Sequence, residues 1–492
     1  MLQKIDASEP AAPVMAAASA AIVRPGVNCW RRLPSRRASV LIDAEQYFKQ
    51  LGRALEKAER SIMIVGWDFD GQIRLSPEDC EDQPRLGDFL RSLVEARPDL
   101  EIHILVWSFA VVHAPGAPLP LLFGAKWQDH PRIRVKLDTK HPIYAAHHQK
   151  IVCIDESVAF VGGIDLTTRR WDTCRHLPDD SHRKTYDGTT YGPVHDMQML
   201  LDGEAAKAVS EVARERWKIA TGEDLPPRPG TADIWPEELA VDFAGEPIAI
   251  ARTAPNYGGL RRRREGARLT RDAIDGARHR IYIEAQYLTA RYVRAAIARS
   301  LQRPDGPEIL IVLTNAINGF LERIIMGKNG DRLMSRLGRL DRHGRLMVYH
   351  PVAARADGHD CPILIHSKLI IVDDRFIRVG SSNLNNRSVG LDTELDVAIE
   401  SDRPETTARI AAIRDTLIGE HVDAAPEVVA RTMTEEGGSM LRAVERLNVN
   451  GRALRAFAAI KGKGPVHSVP GTWLLDPSKP FQLFGFLRRR AR

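Results

Sequence analysis

His148-Gln149-Lys150-Ile151-Val152-Cys153-Ile154-Asp155 runs from a polar pair into an apolar stretch that ends on an aspartate, and Gly162-Gly163 follows after six more residues. The same text recurs as His366-Ser367-Lys368-Leu369-Ile370-Ile371-Val372-Asp373, with Gly380-Ser381 after the same interval. The two histidines stand 218 residues apart, and the flanking text repeats at nearly that offset, so the chain reads as an internal duplication. Ala54 to Ala58 before Ile62-Met63-Ile64 lines up with Ala273 to Ala277 before Ile281-Tyr282-Ile283. Glu101 to Val106 then corresponds to Glu308 to Leu313, and Arg132 to Val135 to Arg345 to Val348. Each half therefore predicts helix, strand, strand, strand, motif.

This alternation of apolar and helical segments predicts an α/β fold, two duplicated α-β-α lobes of mixed sheet. The 492 residues are enough for two cores. Residues 1–27 read as a disordered leader and 28–222 as the first lobe, closing on a helix over 203–220 whose apolar positions recur at helical spacing. Residues 223–245 form a linker around Leu225-Pro226-Pro227-Arg228-Pro229-Gly230, which cannot continue a helix. The second lobe spans 246–423, and 424–492 form an extension with a predicted helix over 440–459 and a basic tail ending Leu487-Arg488-Arg489-Arg490.

An extended segment from His148 to Ile154 puts His148 and Lys150 on one face with Val152 and Ile154, and His366, Lys368, Ile370 and Val372 repeat the pattern. A group that titrates near neutrality beside a cation suits a phosphate. Lys150 and Lys368 would neutralise the nonbridging oxygens, while Gly163, Ser381 and Asn383 offer close backbone approach and polar donors. Two histidines permit a double displacement, one attacking phosphorus and the other protonating the leaving alkoxide. Glu394 and Asp196 are the candidate carboxylates to orient the rings. Asp155 and Asp373 complete the signature and count with the catalytic set, although each falls at a strand end where aspartate bonds its own backbone, which weighs toward a structural part. His147 is out of phase with Lys150 and points away. An ammonium beside each candidate ligand opposes a divalent metal at the motifs, so no cofactor is expected.

The formal charge of +6 suits an anionic substrate or lipid surface. Five scattered cysteines lack metal or disulfide spacing. Val14 to Val23 is short and Ala-rich, with Asp6 and Glu9 where a secretory signal carries positive charge, and nowhere do eighteen apolar residues run uninterrupted. A cytoplasmic or membrane-peripheral monomer is expected, with secretion left open.

His147-His148-Gln149-Lys150 through Gly162-Gly163-Ile164-Asp165-Leu166 and Arg170-Trp171-Asp172 resembles the first HKD motif of eukaryotic-type phospholipase D. His366-Ser367-Lys368 through Gly380-Ser381-Ser382-Asn383-Leu384-Asn385-Asn386-Arg387-Ser388 is similar to the second, Tyr282 to Tyr287 to the block before it, and His195-Asp196 to the block after the first. The resemblance implies fused lobes about a pseudo-two-fold axis sharing one active site, and a metal-independent phosphodiesterase. In it His148 is the nucleophile, His366 the general acid, and Lys150, Lys368 and Asn383 hold the phosphate. Phosphatidylcholine is the family's usual substrate. Two departures stand out: Ala285 replaces the family's Asn, and Asp165 occupies the place that Asn383 holds in the second copy. Cardiolipin synthases and nucleases share the motif, but the former usually open with membrane-spanning helices and the latter are usually strongly basic single-motif dimers, so a nucleic-acid partner is not expected.

Overall fold

The computed structural model describes residues 20–78, 83–108, 125–142, 144–258, 260–315, 328–449, 451–461 and 476–478. Two mixed sheets dominate. In the first, the strands run in the order Phe243–Ala244, Arg37–Ile42, Met197–Asp202, Val158–Gly162, Ile151–Ile154, Ser61–Gly66, Glu101–Trp107, Ile133–Asp138. The second repeats the last seven places as Pro247–Ala254, Glu394–Glu400, Phe376–Gly380, Lys368–Val372, Arg280–Ala285, Glu308–Leu313, Leu346–Ala354. Strand directions agree too. Ser61–Gly66 pairs parallel to Glu101–Trp107 and antiparallel to Ile151–Ile154, as Arg280–Ala285 does with Glu308–Leu313 and Lys368–Val372. The duplication read from the motifs is thus a duplication of topology.

The motif strands alternate strictly. Ile151 and Cys153 face a core shared by both lobes, together with Leu369 and Ile371. Val152 and Ile154 face the outer core of the first lobe, and Ile370 and Val372 that of the second. Strands buried on both faces read as continuous apolar runs, which is why both motif strands are so uniformly aliphatic. The helices Gly203–Thr221 and Pro404–Val422 bury Trp217 and Leu417 in the shared core, binding the lobes into one hydrophobic unit.

The lobes also exchange strands. Arg31–Pro34, from the start of the first half, pairs antiparallel with Pro247–Ala254 at the edge of the second sheet. Phe243–Ala244, in the segment expected to be linker, pairs with Arg37–Ile42 in the first. The expected leader is ordered from residue 20. Ile22 and Val23 are buried in the second lobe's core, and their amides donate to the Glu400 carboxylate at 2.8 and 2.7 Å. The expected helix over 440–459 stops at Leu447, because the Asn448 side chain donates to and accepts from the Leu454 backbone, both at 2.7 Å, and turns the chain into the strand Ala453–Ala456 on the second sheet. Among the described residues no helix is long and apolar enough to cross a membrane, and Cys29, Cys153, Cys174 and Cys361 carry free thiols. Cys80 and the basic tail lie outside the described residues.

Candidate active site

Each motif histidine is oriented by an acid from the opposite lobe. Nδ1 of His148 lies 2.9 Å from Oε2 of Glu394, and Nδ1 of His366 lies 2.6 Å from Oδ2 of Asp196. The backbone repeats the exchange: the His148 amide donates to the Thr393 carbonyl at 2.9 Å, and the His366 amide to the His195 carbonyl at 2.8 Å. In both cases the accepting residue immediately precedes the orienting acid. A carboxylate on Nδ1 fixes the tautomer and leaves Nε2 of each ring as the reactive nitrogen. Glu394 is itself held by the hydroxyls of Ser381 at 2.6 Å and Ser388 at 2.7 Å.

Two buried ammonium groups flank the rings. Nζ of Lys150 is 3.1 Å from the Asp165 carboxylate and donates to the His148 carbonyl at 3.1 Å. Nζ of Lys368 is 3.2 Å from Nδ1 of His366 and also donates to the His366 carbonyl. Asn383 is 5% exposed, and among the described residues its Oδ1 has no hydrogen-bond partner. Burial holds both motif histidines well below their ordinary value; next, Lys150 and Lys368 act on His148, and Lys368 and Arg170 on His366. Burial pushes Lys368 down to about 8 and Glu394 up to about 7. Two ammonium groups beside two oriented imidazoles in a largely buried site can receive the nonbridging oxygens of a phosphodiester.

Residues 270–417 match the family model described as "Cardiolipin synthase, PLD-like domain", and residues 126–226 the one described as "Phospholipase D". The chain belongs to the phospholipase D superfamily. It is 25% identical over 439 residues to phospholipase D A of Dictyostelium discoideum, covering 73% of this chain and 32% of the relative. It is 23% identical over 485 residues to phospholipase D1 of Schizosaccharomyces pombe, covering 80% of this chain and 34% of the relative. The chain thus spans about a third of the length of these relatives. Among solved structures, phosphatidylserine synthase of Haemophilus influenzae Rd KW20 shares the fold, with a TM-score of 0.54 at 14% identity, covering 78% of this chain and 88% of that one.

Against this superfamily frame, four of the eleven site residues read from the sequence sit differently. The Gly163 amide donates to the Met197 carbonyl at 3.0 Å, and a Cβ there would meet Oδ1 of Asp196 at 2.1 Å, so this glycine makes room for the orienting acid rather than for phosphate. The Ser381 amide is spent on the Leu395 carbonyl and its hydroxyl on Glu394. Asp155 and Asp373 lie at the far ends of their strands, roughly 20 Å of extended chain beyond the histidines, and adopt φ of 51° and 52°. The Asp155 carboxylate accepts the amides of Glu59, Arg60 and Ser61, and that of Asp373 the amides of Arg278, His279 and Arg280. Both fasten the turn entering the strand beside their own in the sheet, a structural task away from the histidines.

His147 faces away, with Nδ1 3.2 Å from Asp138 and Nε2 3.1 Å from Gln149. Ala285 is the direct cross-strand partner of Lys368, so the missing amide is missing beside that lysine. Reading the sequence for chemistry passes over Ser388 and Arg170 as site residues. Arg170 carries a signal all the same, as a cation five residues beyond Asp165 in the first motif.

Proposed function

We propose that this protein is a phosphodiesterase that cleaves the head-group ester of phospholipids through a phosphohistidine. Nε2 of His148 attacks phosphorus, and the P–O bond to the head group breaks as His366 delivers a proton to the departing oxygen. Burial first, then Lys368 and Arg170, hold the His366 imidazole well below its ordinary value. The anionic substrate offsets the push of Lys368 and Arg170, and Asp196 on Nδ1 stabilises the imidazolium. Water or an alcohol then loses its proton to His366 and attacks the phosphohistidine, which releases phosphatidic acid or a phosphatidyl alcohol and restores His148. Lys150, Lys368 and Asn383 hold the nonbridging oxygens throughout. The observation that carries this reading is the crossed pairing of His148 with Glu394 and of His366 with Asp196, which makes two motifs into one site with two oriented rings.

A cavity of about 400 Å³ is lined in part by Thr167, which lies two residues beyond Asp165 in the chain. Among the described residues, Arg74, Arg85, Arg169 and Lys184 line it against one carboxylate, that of Asp70. If the head group occupies it, a quaternary ammonium meets net positive charge, and phosphatidylglycerol is cleaved in preference to the phosphatidylcholine usual for the family. Mass-resolved product analysis on mixed phospholipid vesicles, with and without a short alcohol, tests the reading. Phosphatidic acid alone, diverted to phosphatidyl alcohol when alcohol is present, supports it. Cardiolipin formed from phosphatidylglycerol identifies a lipid acceptor, and DNA cleavage with no lipid product overturns the proposal.

A further inference from the structure

Immediately before the orienting acid Asp196, His195 belongs to a second cluster that the reaction does not use. His195 and His176 present one ring nitrogen each to the same two carboxylates, Asp43 and Glu420. Nδ1 of His195 is 3.0 Å from Oδ1 of Asp43 and 2.7 Å from Oε1 of Glu420. Nε2 of His176 is 2.9 Å from Oε1 of Glu420 and 3.7 Å from Oδ2 of Asp43. The four ligand-type atoms lie within 4.8 Å of one another, and none of the residues is more than 7% exposed.

The outer ring nitrogens are treated differently. Nδ1 of His176 has its own carboxylate, Asp172, at 2.9 Å, and Nε2 of His195 has Glu284 at 2.9 Å, both in hydrogen-bond geometry. Asp172 is held in turn by Arg183 at 2.8 Å, and Glu284 by the hydroxyls of Ser367 at 2.8 Å and Tyr282 at 2.5 Å. An imidazole that donates outward to a well-held carboxylate while its other nitrogen faces a shared centre is the arrangement seen around protein-bound metals.

The inner contacts close only in part: Nε2 of His176 is hydrogen-bonded to Oε1 of Glu420 at 2.9 Å, but Nδ1 of His195 is not so paired. Although carboxylate oxygens lie 2.7 and 3.0 Å from Nδ1 of His195, neither is aligned with it for hydrogen bonding, and among the described residues Nδ1 has no hydrogen-bond partner. Oδ2 of Asp43 has none either, in a residue only 1% exposed. Buried polar atoms left unpaired cost roughly 1–3 kcal/mol each, and a cation at the point on which they converge would satisfy both. We propose that Asp43, His176, His195 and Glu420 bind one zinc-class divalent cation, structural in role and separate from the phosphate site. Two imidazoles and two carboxylates suit zinc, and spacing the ligands for bonds of about 2.0–2.2 Å needs only the shortest inner contacts to open by about half an ångström. Binding displaces any protons held by the inner nitrogens and carboxylates.

Three ligands come from the first half of the chain and Glu420 from the helix Pro404–Val422 of the second, so the ion would pin one lobe to the other beside Asp196. The test is elemental analysis of the purified full-length chain by mass spectrometry, paired with cobalt titration of chelator-stripped protein. About one zinc per chain is expected, with d–d absorption bands of a four-coordinate nitrogen and oxygen site on cobalt addition. His176→Asn and Glu420→Gln should each lose at least tenfold in metal occupancy. The stripped wild-type protein should melt lower and recover on zinc addition, which keeps the test valid if a variant fails to fold. Wild-type protein without stoichiometric metal and without cobalt bands overturns the proposal, as does metal retained in both variants. None of these readouts uses turnover, so they stand or fall apart from the phosphodiesterase reading.

Discussion

The buried Glu394 carboxylate meets two serine hydroxyls and one imidazole, and among the described residues it is the one acid on the His148 ring. Replacing it by an amide keeps the shape and removes the anion that fixes the Nδ1–H tautomer. Glu394→Gln should therefore lower kcat about 10³–10⁴-fold, by analogy with the loss on neutralising a histidine-orienting aspartate, while thermal melting stays close to wild type. The same groups set a pH profile. Glu394 is raised to about 7, so its useful anionic form is lost as pH falls through that value. Lys368 is lowered to about 8, so its ammonium is lost as pH rises through that value. kcat/KM should rise and fall within a narrow window between these limbs, and Lys368→Arg, which keeps its charge, should remove the alkaline limb at some cost in peak rate. Spacing identifies both His-Lys pairs at this scale, because period two places a histidine and a lysine on one strand face. It does not identify Ser381 and Ser388 as props for Glu394. Where a hydroxyl in an irregular loop points depends on its tertiary partner and leaves no periodic trace.

At the scale of elements, the shared Asp of the two signatures belongs to strand pairing. Three amides end on the Asp155 carboxylate and three on that of Asp373. Hydrogen bonds to a charged acceptor contribute about 1.5–3 kcal/mol each in favourable cases and are not additive. Asp155→Ala should cost about 2–4 kcal/mol of stability, read by denaturant titration, with kcat of the folded fraction within about threefold of wild type. A much larger loss of kcat in a well-folded variant would return Asp155 to the chemistry. The succession of helix, three strands and motif strand in each half was legible because each motif strand is uniformly aliphatic and each repeat preserves helix and strand in sequence, whereas the order of the seven strands across each sheet comes from the structure. The exchanged strands Arg31–Pro34 and Phe243–Ala244 were not legible, since segments of four and two residues carry no readable period and their pairing is decided by which sheet edge lies open.

Over the whole molecule, the pseudo-two-fold relation makes each half incomplete. The nucleophile candidate of one lobe depends on the other lobe for its acid, its backbone anchor and part of its core. The two copies are also unequal, with Asp165 beside Lys150 in one and Asn383 in the equivalent place of the other, so the two histidines occupy different fields and can take different roles. That inequality fits unequal roles for the two histidines, and the proposal that His148 attacks while His366 transfers the proton follows the family resemblance. The most direct test is to mix His366→Asn protein with a phosphatidyl ester of p-nitrophenol, whose leaving group departs without the proton that His366 would supply, then quench at alkaline pH and map covalent adducts by peptide mass spectrometry. With the general base gone, the intermediate should persist as an acid-labile phosphatidyl adduct on the peptide carrying His148 alone. An adduct on any other residue, or undiminished turnover by His148→Ala protein, would contradict the account.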